Sequence, residues 1–343
     1  MIRRTAVVMG TLAVFLVAGC SLFLGEQEAE LGQLSVTSWA ENFTQEDIDG
    51  LDENESVNAV LTVEPAINDE SVFVTGERGV LEITEVPPGN YTIQPLHASG
   101  SYAKSVTVEP GQAATVDVPT PAAGIYSYVF NHAADTPPFS SADVRGAFNI
   151  AIDRSAIVAE LAADPDLDFD SAPEPAYSYI PTSLQESDWS VTTIADADTT
   201  GANDLLSSQS APFSFEVLYN DGDNPHGITA DYVLADIEAL NNVGGYTGQS
   251  VDFSDLISRY ADGDFELIRF GWLLVSNNLY EYFAAITDDY WIKASYDSSE
   301  LDTLLADMKS ALDSGDLDTY EQRILAVNEL LITDALGMPV YEY

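Results

Sequence analysis

The sequence is poor in the residues that usually declare a chemistry. It has one cysteine in 343 residues, Cys20, so no internal disulfide framework can form. It has three lysines, Lys104, Lys293 and Lys309, and 11 basic residues against 57 acidic ones, a formal charge of −46. Such a surface repels nucleic-acid phosphates and anionic lipid headgroups, which excludes both as partners. The three histidines, His97, His132 and His226, are too scattered for a zinc motif. No G-x-S-x-G, H-E-x-x-H, Walker loop or dinucleotide fingerprint is present. Carboxylates are so numerous that no pair stands out as a general acid and base. Neither catalysis nor a cofactor is therefore expected. The hydrophobic content, 46%, is that of a folded chain and excludes a disordered acidic tail. Excess carboxylate with few lysines suits a high-salt environment, where screening removes self-repulsion.

Past the N-terminus no apolar run approaches the roughly 20 residues a membrane span needs. At the N-terminus, Arg3 and Arg4 precede an apolar run from Ala6 to Ala18 that ends in Leu16-Val17-Ala18-Gly19-Cys20. This pattern reads as a lipoprotein signal peptide over residues 1–19, with Cys20 the acylated residue. Two or more acyl chains make a stable anchor where one would not. An acylated Cys20 is also lost to catalysis. The expected location is the bacterial cell envelope, lipid-anchored on the extracytoplasmic side of the outer or cytoplasmic membrane.

Residues 20–56 are polar and acidic and read as a tether. Residues 57–119 alternate over short runs, Val57–Val63, Gly79–Ile83, Tyr91–Ile93, Ser105–Val108 and Thr115–Val118. Pro87-Pro88-Gly89-Asn90 and Pro110-Gly111 punctuate them, which predicts a small antiparallel β-sandwich. Residues 120–125 read as a linker, and residues 126–343 as a mixed α/β lobe. In the lobe, Ser140 or Ser141 is placed to cap a helix with Val144, Ala147, Phe148, Ala151 and Ile152 on one face. Asp153 is placed to cap a second helix. A helix from about Ile228 to Leu240 is expected to close at Gly244-Gly245. Two amphipathic helices and a last strand, Met338–Tyr341, complete the chain. The fold class is α+β and multidomain.

Two resemblances follow from these residues. Val86-Pro87-Pro88-Gly89-Asn90-Tyr91-Thr92-Ile93, with Gly100-Ser101-Tyr102 after it, resembles carboxypeptidase-regulatory-like sandwich domains, which serve as spacers or contact surfaces. Residues 126–343 resemble the family 5 extracellular solute-binding proteins of peptide and nickel ABC importers. The resemblance is carried in order by Tyr128-Val129-Phe130-Asn131, Pro137-Pro138-Phe139, Asp143-Val144-Arg145 and Ala151-Ile152-Asp153-Arg154. Ile180-Pro181, Ala202–Leu206, Leu218-Tyr219-Asn220, Gly263–Leu267 with Gly271-Trp272, and Pro339-Val340-Tyr341 continue it. It implies one lobe of a type II periplasmic-binding-protein fold, with the first lobe missing.

The resemblance also implies site residues. Arg269, two before the Gly-Trp pair, and His226 match positions that reach ligand carboxylates, and Trp272 matches a side-chain-pocket tryptophan. The aspartate that pairs with a peptide's α-amino group is replaced by Val275, with Asn277 a candidate substitute. The implied function is the binding component of a peptide-type ABC uptake system, reduced to one lobe that captures ligand at an Arg269/Trp272 face. An ABC permease and a second protein supplying the other wall are the implied partners. The alternative is a non-transport envelope scaffold whose β-domain makes the contacts; an envelope hydrolase is a third. Asp164-Pro165-Asp166-Leu167-Asp168-Phe169-Asp170 has calcium-loop carboxylates but Phe169 where an EF-hand needs glycine, and reads as a solvated loop.

Overall fold

A computed structural model describes residues 30–50, 57–76, 78–133, 138–167, 169, 172–209, 211–220, 225–287 and 296–342. The signal segment and Cys20 lie outside the described residues. The first unit comprises β1 (Gly32–Thr37), α1 (Gln45–Gly50), β2 (Val60–Ile67), β3 (Glu70–Val74), β4 (Val80–Val86), β5 (Gly89–Pro95), β6 (Lys104–Val108) and β7 (Ala113–Asp117). Its strands form two sheets, β4-β1-β7 and β3-β2-β5-β6. The sheets enclose one core in which Leu34, Val36, Leu61, Val63, Val86 and Ile93 are fully buried. All pairs are antiparallel except β1 with β7. Tyr91 is 4% exposed and its hydroxyl donates to Pro87 O at 2.7 Å, which pins the Pro-Gly turn to the strand it leads into.

Strand β1 corrects the tether reading of residues 20–56. It is the central strand of its sheet, with Leu34 and Val36 inside and Gln33, Ser35 and Thr37 on the other side. Two apolar residues in six give little periodicity, and the parallel partner lies about 80 residues away in the chain. Burying Leu34 and Val36 is worth about 1.5–3 kcal/mol each, enough to draw this segment into the sandwich. The linker reading of residues 120–125 is corrected as well. Thr120 N donates to Trp39 O at 2.8 Å, and the next strand begins at Ala123.

The second unit comprises β8 (Ala123–Phe130), α2 (Ala142–Ala151), α3 (Arg154–Ala163), β9 (Glu174–Pro175), α4 (Thr199–Leu206), β10 (Phe213–Asn220) and α5 (His226–Glu238). It continues with β11 (Val243–Val251), α6 (Phe253–Ala261), β12 (Leu267–Leu274), α7 (Leu279–Thr287), α8 (Ser299–Ser314), α9 (Leu317–Thr333) and β13 (Gly337–Glu342). The sheet order is β11-β10-β12-β8-β13-β9. Strands β10, β11 and β12 run parallel, and β8 runs antiparallel to both its neighbours. Helices α2–α5 cover one face and α6–α9 the other, so β8 is buried along its whole length.

Local chemistry sets the helix ends. Asp153 Oδ1 accepts from Ala156 N at 2.8 Å and caps α3. Ser141 takes the cap position of α2 but its side chain makes no capping bond. Helix α5 does not run to Gly244-Gly245. It ends near Ala239, Asn242 makes the left-handed turn at φ 65°, and the two glycines follow Val243 inside β11. Gly315, at φ 71°, ends α8 in the conformation that glycine adopts without strain.

Three polar residues of the family-like block are structural. Arg154 is fully buried and donates to Pro339 O at 2.8 Å and to Asn149 O and Oδ1 at 2.9 and 2.8 Å. Arg145 donates to Phe139 O and Asp334 O, both at 2.8 Å. Asn131 Nδ2 donates to Phe265 O at 2.8 Å, tying the end of β8 to the approach to β12. The two units share a core, since Val60 and Leu96 pack into the same cluster as Leu279, Phe283 and Tyr320.

Candidate ligand-binding site

Strand alternation decides which candidate residues meet. Along β12 successive side chains point to opposite faces. Leu267 belongs to the core under α2–α5, whereas Phe270 and Trp272 belong to the core under α6–α9. Arg269 shares the face of Leu267. The expected common Arg269/Trp272 face is therefore corrected: three residues apart on a regular strand, the two stand on opposite sides of the sheet. Trp272 is 9% exposed, its ring lies 5.1 Å from that of Phe270, and its Nε1 has no partner among the described residues.

Arg269 and His226 do converge, through Tyr126 of β8. The Arg269 guanidinium lies 4.5 Å over the Tyr126 ring. The His226 ring stacks on Tyr126 at 5.7 Å, with Nδ1 3.2 Å from the Tyr126 hydroxyl. Tyr341 of β13 stacks on Tyr126 at 4.6 Å. Arg269 Nη1 donates to Asn220 Oδ1 at 3.2 Å, while its Nε is buried without a hydrogen-bond partner. On a chain with 57 acidic residues, no carboxylate among the described residues pairs with Arg269. Burial, and then the charge of Arg269, pull His226 down to about 4, so its imidazole is neutral at neutral pH.

His226 is the first residue of α5, which starts after the carboxyl end of β10. Pro225 offers no side-chain cap and the first turn holds no acidic residue. The positive end of the helix dipole is thus unneutralised by its own first turn. An arginine with a spare donor, a helix whose first turn holds no acidic residue and the Asn220 side chain at the carboxyl end of β10 are the chemistry of a carboxylate site. Residues 221–224 lie outside the described residues, as do Asp168 and Asp170 of the acidic loop.

Asn277 is committed elsewhere. It is 1% exposed; its Oδ1 accepts from Val60 N at 3.0 Å and its Nδ2 donates to Val60 O and Leu96 O at 2.8 and 2.7 Å. All its polar groups serve the joint between the two units, which corrects its reading as a ligand group.

At the carboxyl end of β12, several residues beyond Arg269, a pocket of about 330 Å³ is lined by Ala122, Ala123, Gly124, Glu174, Thr182 and Glu342, among others. The Glu342 carboxylate accepts from Thr182 N at 2.8 Å and Thr182 Oγ1 at 2.9 Å. Burial pushes its carboxyl up to about 7 against those bonds, with Glu174 opposite adding to the rise. The other two histidines stand apart. His132 Nε2 lies 3.0 Å from Leu336 O, and His97 sits at the joint between the units. Among the described residues no three His, Cys, Asp or Glu side chains are gathered to hold a metal ion, and no helix is long and apolar enough to cross a membrane.

The residues that sequence reasoning passed over are Tyr126 and Glu342. Tyr126 carried no signal beyond alternation within a hydrophobic strand. Glu342 was one acid among 57 until β13 placed it beside Thr182.

A mixed sheet flanked by helices on both faces is the architecture of a periplasmic-binding-protein type II lobe. A profile of the bacterial extracellular solute-binding proteins, family 5 middle region, matches residues 83–294, and the chain belongs to this family. Among solved structures it is similar to one described as a peptide ABC transporter, peptide-binding protein, at 20% identity and TM-score 0.56, covering 64% of this chain and 99% of that one. It is similar to the Escherichia coli murein tripeptide binding protein MppA at 20% identity and TM-score 0.53, covering 65% of this chain and 43% of that one. It is similar to Haemophilus influenzae OppA in complex with RPPGFSPFR at 22% identity and TM-score 0.51, covering 64% and 42%. These likenesses establish the fold, and the chain matches less than half the length of MppA and OppA. No curated protein sequence matches it.

Proposed function

We propose that this chain is the lipid-anchored binding component of a peptide-type ABC uptake system, reduced to one lobe behind its β-domain and tethered through Cys20. The observation that carries the reading is Arg269: a guanidinium with no carboxylate partner among the described residues, gathered with the α5 N-terminus and Asn220 at the carboxyl end of β10. The ligand it fits is a short peptide or other small molecule bearing a carboxylate. Neutral His226 adds a hydrogen-bonding edge without a second charge. The role is capture and delivery to a permease, not catalysis, and the acidic surface serves solubility in high salt.

Calorimetric titration of the soluble form, residues 21–343, with a pool of di- to hexapeptides in high salt tests the reading. Saturable binding at micromolar or better is expected. Arg269→Ala should weaken it at least tenfold, the loss of about 1.5–3 kcal/mol for a hydrogen bond to a charged group. No heat from folded protein would sink peptide capture.

The replacement of the family's amine-binding aspartate by Val275, and the use of Asn277 inside the joint, favour the second reading, an envelope scaffold that no longer binds peptide.

A further inference from the structure

The strands that carry Arg269 and Asn220 run toward the β-domain. Arg269 pairs with Tyr128, Leu273 with Gly124 and Leu274 with Ala123. The next residue, Val275, accepts a hydrogen bond from Ala40 N of the β-domain at 3.0 Å. Six residues of extended chain separate Arg269 from Val275, about 20 Å. The strip between them on the Arg269 face carries Gly271 and Leu273, which is 51% exposed, with Gly124 alongside. The β-domain thus stands at the end of an open strip, about 20 Å from a guanidinium that has no carboxylate partner among the described residues.

It is held there firmly. The Asn277 amide binds two β-domain segments at once, through Val60 and Leu96. Asn278, 3% exposed, donates to Asn58 O at 2.8 Å. His97 of the β-domain is 5% exposed, with Trp189 edge-on at 4.8 Å and Tyr320 stacked at 6.1 Å, both from the lobe. Swinging the β-domain away would break each contact and strand buried donors and acceptors. Units joined by a small polar interface move by default; units that share an apolar core and buried hydrogen bonds do not.

We propose that the β-domain is a fixed second wall of the ligand cleft, so that ligand enters a pre-set cleft and is not trapped by hinge closure. The proposal deepens the binding reading and rests on it for the ligand; the locked joint stands without it.

The test is hydrogen exchange at single-amide resolution on the full chain in detergent, with and without the di- to hexapeptide pool. Without peptide, the amides of Ala40 and Val60, both bonded to lobe atoms, should exchange within about threefold of the slowest amides in β5. Exchange more than tenfold faster would mean a joint that opens, and would overturn the proposal. Asn277→Ala should speed Val60 at least tenfold while β8 keeps its protection; an unchanged Val60 would count against the clasp. Should that variant fail to fold, Asn278→Asp, which loses the donation to Asn58 O but keeps an oxygen for the Tyr280 and Glu281 amides at the start of α7, should speed exchange at Val60 severalfold, and no change there would likewise count against it. Bound peptide should slow amides around Asn220 and leave Ala40 and Val60 as they were. Slowing of Ala40 and Val60 by tenfold on binding would reveal closure and refute a fixed wall. No effect of peptide anywhere would count against the binding reading alone, with the ligand-free rates still deciding the wall.

Discussion

Replacing Arg154 with methionine should cost about 3–5 kcal/mol of folding stability. The side chain is fully buried, and burial pulls its guanidinium down only to about 10, so it stays charged at neutral pH. It supplies donors to four acceptors: Pro339 O at 2.8 Å, Asn149 O at 2.9 Å, Asn149 Oδ1 at 2.8 Å and, more weakly, Ala195 O at 3.5 Å. Asp196, its only charged partner among the described residues, is 3.6 Å away with a side chain 24% exposed, and so keeps some water. Methionine fills most of the volume but leaves those acceptors bare. Each stranded buried group costs about 1–3 kcal/mol, and removing one member of a buried charged network costs about 3–5 kcal/mol in total. That is a large share of the roughly 5–15 kcal/mol that holds a domain folded. Urea unfolding at fixed high salt, followed by tryptophan fluorescence, measures the difference. Because Pro339 is the anchor point of β13, the variant should also loosen the Tyr341–Tyr126 stack beside Arg269. A stability within about 1 kcal/mol of wild type would refute the argument, since it would mean the acceptors are satisfied without the guanidinium.

Four further outcomes are expected. Leu34→Ala should destabilise the chain by about 2–4 kcal/mol, because Leu34 is a core residue of β1; a tether residue would cost nothing, and urea unfolding separates the two. Glu342 holds its proton in the folded state up to about 7, above its ordinary range, so the native chain binds more protons than the unfolded one between about pH 4.5 and 7. Wild-type stability relative to Glu342→Gln should therefore fall on the order of 1 kcal/mol from pH 5 to pH 8, and a flat difference would contradict the burial of that carboxyl. His97 behaves oppositely: burial, opposed by Glu186, lowers its affinity for a proton, so its contribution is present above about pH 6.5 and is lost as pH falls below that value. His97→Phe should blunt that acid loss in the same unfolding assay, and an unchanged acid limb would show that His97 is not buried neutral. Finally, a −46 chain should gain stability as NaCl rises from 0.1 M to 2 M through screening, and a fall in melting temperature over that range would remove the case for salt adaptation.

Much of the fold was legible wherever one segment carries its own pattern. The apolar face of α2 and the N-cap of α3 follow from spacing and a single aspartate. The Pro-Gly turn before Tyr91 announced a corner that the tyrosine hydroxyl closes. Strand β1 was not legible because its partners are distant and its apolar content is two residues. Strand β11 was hidden by glycines that read as a helix stop. For the site, the resemblance pointed to Arg269 and His226, and the structure brings both to Tyr126. It also pointed to Trp272 and Asn277, which the structure places in the opposite core and in the joint.

By itself the sequence determined the charge, the lone thiol and its context, the amphipathic helices and the order of family-like segments. These are properties of composition and short-range periodicity, which a linear chain displays directly. Only the tertiary structure decided that the β-domain shares a core with the lobe, that Asn277 clasps Val60 and Leu96, and that Arg269 is left with an unused donor. Those depend on which distant segments meet and on which face of a strand a side chain falls. A pleat reverses direction at every residue, so a spacing of three on β12 separates Arg269 from Trp272, where the same spacing on a helix would have joined them.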